Sequence, residues 1–206
     1  MAGCAVEILK GNGGDVMGQI KVTKAPIEGL YVIEPAVHGD ERGYFMETYN
    51  QRDMAEAGLN QVFVQDNQSM SVRGVLRGLH YQKEHPQAKL VRAIKGEVFD
   101  VAVDLRKDSA TYGQWYGLIL SEENKKQFLI SEGFAHGFLV LSETAEFCYK
   151  VTDFWHQGDE GGLRWNDPDI GIDWPDVIGD KFSDGTPLNI NDRDRNFPGL
   201  KEAFQF

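Results

Sequence analysis

The run Glu97–Leu105, EVFDVAVDL, alternates so strictly that Phe99, Val101, Val103 and Leu105 share one face of an extended chain while Asp100 and Asp104 share the other. It reads as a strand with one face buried. Short segments rich in Val, Ile, Phe and Tyr recur across residues 19–34, 44–49, 61–70, 74–82, 89–105, 114–121, 127–130, 134–142 and 145–152. That rhythm predicts an all-β fold, and so many short strands favour a β-sandwich or jelly roll over a meander. Lys95-Gly96 separates two strand-like runs and predicts a hairpin, since glycine accepts the positive φ of a tight turn. Helices are few. Asn50 can cap QRDMAEAG and Gly58 can end it, and a second short helix is expected over residues 199–206. Residues 153–196 shift to Gly, Asp, Pro and Trp without clean periodicity, which predicts a long ordered loop with aromatic anchors, often functional in compact domains.

A chain of 206 residues forms one domain, able to bury roughly 70% of its unfolded surface without disulfides or a structural metal. Its two cysteines, Cys4 and Cys148, form no framework and suggest a reducing, cytoplasmic compartment. No apolar run approaches the roughly 20 residues a membrane span requires. Residues 1–16 lack the charged start and apolar centre of a secretion signal and read as a disordered leader before a domain of residues 17–206. With 21 basic against 32 acidic side chains, a net charge of -11 argues against nucleic acid. An anionic ligand would need a local basic site.

Two of the five histidines, His80 and His136, and Tyr149 have informative settings, in which a hydrogen-bonded or packed core residue stands beside the chemical reading. Arg77 and His80, in GVLRGLHYQ, fall on opposite faces under strict alternation, so both reach one site only through a bulge, expected at Gly78. His136 lies between Gly133 and Gly137 in ISEGFAHGF, where a ligand or a neighbouring backbone could approach; a hydrogen-bonded core histidine fits equally well. Arg42, Arg77, Lys89 and Arg92 sit among strand formers and suit phosphate or carboxylate, or form surface ion pairs. In VFVQDNQSMS, Gln65, Asp66 and Asn67 line either a wet edge or a polar pocket, with the pocket preferred. Tyr149 is in phase with Phe147 and Val151, as core packing or as an acid aimed into a cavity. Metal has thin support: there is no HxH, HExxH or Cys pair, only a remote set of His80, His136 and Glu146.

The phrases FVQDNQSMS, GVLRGLHYQ, QAKLVRAIKGEVFDVAVDLRKDSATYGQW, ISEGFAHGF and RWNDPDIGIDWP together resemble the dTDP-4-dehydrorhamnose 3,5-epimerase family, from about Met17 to Phe206. The resemblance implies a cupin-type jelly roll, a homodimer, and turnover of dTDP-4-dehydro-6-deoxy-D-glucose without metal or organic cofactor. It assigns His80 as base, Tyr149 as proton donor, Asp194 (with Asp192 as fallback) as the carboxylate orienting the base, and Lys89 as the cation near the substrate oxygen. It places substrate contacts at Arg42, Glu47, Gln65, Asp66, Asn67, Arg77, His136, Glu160 and Arg193. Two positions depart from the family pattern: Ser131 stands where proline is frequent, and Trp155 where a second tyrosine is common. Rival readings are an epimerase acting at one carbon, a ketoisomerase, and a non-catalytic sugar-binding cupin.

Overall fold

The strand rhythm folds into two antiparallel sheets packed face to face in a computed structural model that describes residues 20–206. The leader assigned to residues 1–16 lies outside these residues. The first sheet runs, in spatial order, β1 (Ile20–Lys24), β2 (Leu30–Pro35), β10 (Gln127–Ile130), β7 (Lys89–Lys95), β12 (Thr144–Val151) and β5 (Gln65–Val72). The second runs β13 (Glu160–Gly162), β6 (Leu76–Gln82), β11 (Phe134–Val140), β8 (Glu97–Asp104) and β9 (Trp115–Ser121). From β5 to β8, and again from β10 to β13, successive strands change sheet. This is the jelly-roll path.

That path corrects one expectation. Lys95-Gly96 is not a hairpin, because β7 pairs with β10 and β12 while β8 pairs with β9 and β11. It is an arch between sheets. Alternating residues on either side of a glycine fit both geometries, so pairing partners decide. Gly96 has φ +68°, and a Cβ there would collide with the carbonyl oxygen of Thr144.

The alternation of β8 has an unexpected sense. Its apolar row, Phe99, Val101, Val103 and Leu105, faces away from the first sheet and packs under Leu163, Trp165, Ile170 and Trp174 from the segment after residue 153. The opposite row contributes Val98 and Ala102 to the core between the sheets, together with Val91, Phe128, Phe138 and Phe147. Asp100 and Asp104 share that row. Asp104 is satisfied by Arg106, Ser109 and Thr111, while Asp100 opens onto the candidate site. The long segment is ordered and aromatic-anchored, but its main tryptophans serve packing: the Trp174 indole N–H donates to the Trp165 carbonyl at 2.9 Å.

Helix α1 (Gln51–Glu56) forms where its cap predicts: the Asn50 side chain accepts from the N–H groups of Arg52 and Asp53. It covers the outer face of the first sheet through Met54, against Ile33, Leu90 and Leu129. The expected helix over 199–206 is instead a turn, with the Leu200 N–H bound to Asp167 and the Phe206 N–H to the Leu105 carbonyl. A short helix occurs earlier, α2 (Asp192–Arg195), capped by Asn191. A small hairpin, β3 (His38–Asp40) and β4 (Gly43–Phe45), projects from the sandwich with Tyr44 and Phe45 exposed.

Candidate active site

Arg77 and His80 reach the same face because β6 carries an extra residue. His136 pairs with His80 and Phe138 with Arg77, so the register slips between them. Leu76, Leu79 and Tyr81 point into the outer core, and Gly78 occupies the extra position at φ +119°. A Cβ on Gly78 would lie 2.6 Å from Gly137 Cα and 2.7 Å from the His136 oxygen, so the bulge requires glycine on β6.

Across 114 residues of sequence, Asp194 of α2 bonds His80 Nε2 at 2.9 Å. Its other oxygen accepts the Gly78 N–H at 3.0 Å. Asp192 makes no such contact. Burial pushes the Asp194 carboxyl up, but the bonds from His80 and Gly78 and the nearby Arg193 charge prevail and hold it below the usual carboxylate range. An ionised Asp194 only accepts, so Nε2 carries the imidazole proton and Nδ1 is the free base; Nδ1 has no protein partner among the described residues. Arg193 lies against this pair, 3.3 Å from Asp194 and 2.8 Å from Glu160 of β13. Phe197 packs edge-on to the His80 ring.

A second pair sits beside the first. His136 Nε2 donates to both oxygens of the fully buried Asp100, at 3.0 and 3.1 Å. Burial pushes the imidazole below its ordinary value and the carboxyl above its own. Lys89, from the facing sheet, reaches the His80 carbonyl at 3.5 Å. Burial pulls its ammonium down to about 8, against the opposing charges of Asp100 and Glu160. It remains mainly cationic at pH 7.

Tyr149 stands on the other wall, in β12, packed beside Phe147. Burial raises its phenol further, while the Arg77 charge partly offsets this. Its hydroxyl is therefore a donor at neutral pH and has no protein partner among the described residues. Next to it on β5, Gln65 and Asn67 face inward and bond each other at 2.9 Å, and Ser71 accepts from Arg77 at 3.1 Å. The Tyr149 phenol feels the charges of Arg77 and Glu160, and Glu160 is bound to the Arg193 that flanks His80 and acts on Lys89 as well, so a free imidazole nitrogen, a phenol and an ammonium belong to one polar cluster drawn from both sheets. Such a set can remove a proton from one side of a substrate, return one from the other, and stabilise an intervening oxyanion.

Residues 24–202 match the family model described as dTDP-4-dehydrorhamnose 3,5-epimerase. The chain belongs to the dTDP-4-dehydrorhamnose 3,5-epimerase family. It is 54% identical over 187 residues to the dTDP-4-dehydrorhamnose 3,5-epimerase of Methanothermobacter thermautotrophicus, covering 90% of this chain and 97% of that one. It is 60% identical over 157 residues to that of Pseudomonas aeruginosa, covering 76% and 87%. Among solved structures, the dTDP-6-deoxy-D-glucose-3,5-epimerase of Legionella pneumophila, in complex with dTDP-4-keto-L-rhamnose, superposes with a TM-score of 0.83 at 46% identity, over 89% of this chain and 94% of that one. The architecture is the cupin-type jelly roll of these 3,5-epimerases.

Within this family member, the structure gathers His80, Asp194, Arg193, Glu160, Lys89, His136, Arg77, Tyr149, Gln65 and Asn67. Three expected contacts fall elsewhere. Alternation along β5 sends Asp66 to the outer face, where Lys150 pairs with it at 2.6 Å. Arg42, its side chain 84% exposed, is tied to Asp40 in the β3–β4 hairpin. Glu47 accepts from the Asn50 side chain at 3.0 Å. Arg92 and Glu146 also face outward: Arg92 shares its row with Leu90, and Glu146 accepts from Gln68. The remote His80, His136 and Glu146 set therefore does not converge, and no metal-holding cluster is found among the described residues. Asp100 is the site residue that sequence reasoning missed. Its signal was present, an acid in mid-strand opposite an apolar row.

Proposed function

We propose that this protein is a dTDP-4-dehydrorhamnose 3,5-epimerase, converting dTDP-4-dehydro-6-deoxy-D-glucose to dTDP-4-dehydro-L-rhamnose. The observation that carries this reading is the placement of His80 and Tyr149, from opposite sheets, in one polar cluster. Each inversion removes a proton next to the ketone and adds one to the opposite face of the ring. His80 Nδ1 takes the proton, and Asp194 supports the resulting imidazolium. Lys89 puts positive charge where the enolate oxygen develops, while Tyr149 returns a proton from the far wall. His136, held neutral by burial against the pull of Asp100 and oriented by its bond to that carboxylate, offers Nδ1 as an acceptor for a sugar hydroxyl. Arg77 and Arg193 supply the local cations that a nucleotide diphosphate needs in an acidic protein, with Gln65, Asn67 and Glu160 as polar contacts. These residues perform every proton transfer themselves, so activity should survive exhaustive chelation.

We further propose a cytoplasmic homodimer. Among the described residues, no helix is long and apolar enough to cross a membrane. The exposed hairpin around Arg42, with Tyr44 and Phe45 beside it, is suited to reach a partner's site, which would bring Arg42 and Glu47 to substrate there. Light scattering should then show a two-chain mass, and Arg42→Ala should raise KM.

Proton NMR of the enzyme with the 4-keto sugar in deuterated water tests the reaction. Deuterium should enter at both C3 and C5, with inversion at both. Labelling at a single carbon would reassign the protein as a one-site epimerase.

A further inference from the structure

Helix α2 contains no apolar side chain: its residues are Asp192, Arg193, Asp194 and Arg195, and the one that is buried is Asp194 itself. A single turn is too short to persist on its own hydrogen bonds, and no residue of α2 pins it to a core as Met54 pins α1. Its carboxylate must nevertheless meet two points on β6, His80 Nε2 at 2.9 Å and the Gly78 N–H at 3.0 Å. The chain around the turn has to place it.

Just before α2, the Asn189 N–H donates to the Gly74 carbonyl at 2.8 Å and the Asn189 carbonyl accepts the Leu76 N–H at 3.1 Å, a parallel bridge onto the start of β6. On either side of it, Leu188 and Ile190 are buried in the outer core. The segment leading to Asp194 is therefore registered on the same strand that carries His80. Two side chains pass that register on to the carboxylate. Asn191 Oδ1 accepts the N–H of Asp194 at 2.7 Å. Arg195 folds back beneath the turn, its Nε donating to the Ile190 carbonyl at 3.1 Å and its Nη2 to the Leu188 carbonyl at 3.4 Å. One tie holds the backbone of Asp194, and the other fastens the next residue to both buried anchors.

We propose that Asn191 and Arg195 are positioning residues for the base, a brace that transfers the register of β6 to Asp194 and so holds its carboxylate against His80. This rests on the function proposed above. Both side chains bond backbone, so they act through Asp194 without touching substrate.

The test measures kcat and KM with the 4-keto sugar in Asn191→Ala, which loses the cap, and in Arg195→Met, which keeps most of the side-chain length but loses both donations. In each, kcat should fall roughly 10–100-fold, the order expected when a catalytic group is misplaced by about 1 Å, with KM within twofold of the unaltered enzyme. Asn191→Ser, which retains a capping oxygen, should restore kcat to within threefold. In an Asp194→Asn background, with residual turnover followed by deuterium incorporation, neither change should cost more than a further twofold, because both act through that carboxylate. Unchanged kcat, a loss confined to KM, failure of serine to rescue, or full multiplication of the losses in the Asp194→Asn background would each overturn the proposal. If neither single variant folds, hydrogen exchange in the unaltered protein decides: slow exchange at both the Asp194 N–H and the Arg195 Nε–H supports the brace, and fast exchange at either refutes it. An unaltered protein that fails to turn over the sugar would refute the function proposed above, and the same exchange measurement would still judge the brace.

Discussion

His80 and His136 both lean on carboxylates that water does not reach, Asp194 and Asp100, yet their surroundings divide the work. The His80 side chain keeps 26% of its exposure, with Arg193 against its carboxylate, so substrate can approach its free nitrogen. His136 is enclosed, and burial holds it neutral. Replacing His80 by Asn should therefore slow deuterium exchange at both carbons by about 10²–10⁴-fold; exchange surviving at either carbon would mean another base acts there. Tyr149→Phe removes a hydroxyl with no protein partner, so the fold should hold. The variant should wash deuterium into uninverted sugar faster than it inverts, the reverse of the unaltered enzyme, as quenched-reaction NMR can show. Lys89 makes activity and stability diverge with pH. Its folded value of about 8 lies below the ordinary 10.5, so the unfolded chain binds more protons between the two and this group's contribution to stability rises with pH across that window. It is fully present above the ordinary value and lost as pH falls through about 8. Activity should move oppositely, falling as pH rises through about 8 and the enolate loses its cation. A kcat/KM profile compared with urea unfolding across the same pH range checks both signs.

Glycine meaning differs between elements, and the difference can be measured. Gly78→Ala meets backbone atoms of β11 at 2.6 and 2.7 Å at a φ of +119°, so it should cost at least about 2 kcal/mol and nearly all activity, by separating Arg77 from His80. Gly58, which ends α1 at φ +80° with no atom within 4 Å, should cost only about 1 kcal/mol as Ala and leave turnover unchanged. Thermal melts and assays of the two variants make the comparison. The bulge at Gly78 was legible in the sequence because a histidine and an arginine three residues apart could share a face in no other way. The helix after Asn50 was legible because capping is local. Lys95-Gly96 was misread because turn chemistry does not say which sheet receives the next strand. The stretch after Gly199 was misread because Asp167 and Leu105, distant in sequence, capture its backbone. Asp66 was placed among the contacts by the family resemblance, although alternation between Gln65 and Asn67 turns it outward.

Across the whole molecule, the segment after β12 does two jobs at once. Trp165 and Trp174 seal the outer face of the second sheet, and the same segment brings Asp194 back to His80. Trp174→Ala should cost about 3–5 kcal/mol, and activity should be lost on heating before the sandwich melts, as assays beside far-UV circular dichroism would show. The β rhythm made this architecture legible, but the site less so: strand phase left Tyr149 between packing and acid until the family resemblance gave it a role, Asp194 was named through that resemblance alone, and Asp100 was visible only as parity in a strand. Their grouping depends on which strands face each other, which no local pattern encodes. The reach of 114 residues between His80 and Asp194 also sets an order of events during synthesis. A nascent chain can have both sheets outside the ribosome and still hold an unsupported imidazole. On the proposed mechanism His80 gains its supporting carboxylate only after Asp194 has been translated and α2 has docked, so a partly made chain should be a far weaker epimerase than the finished one.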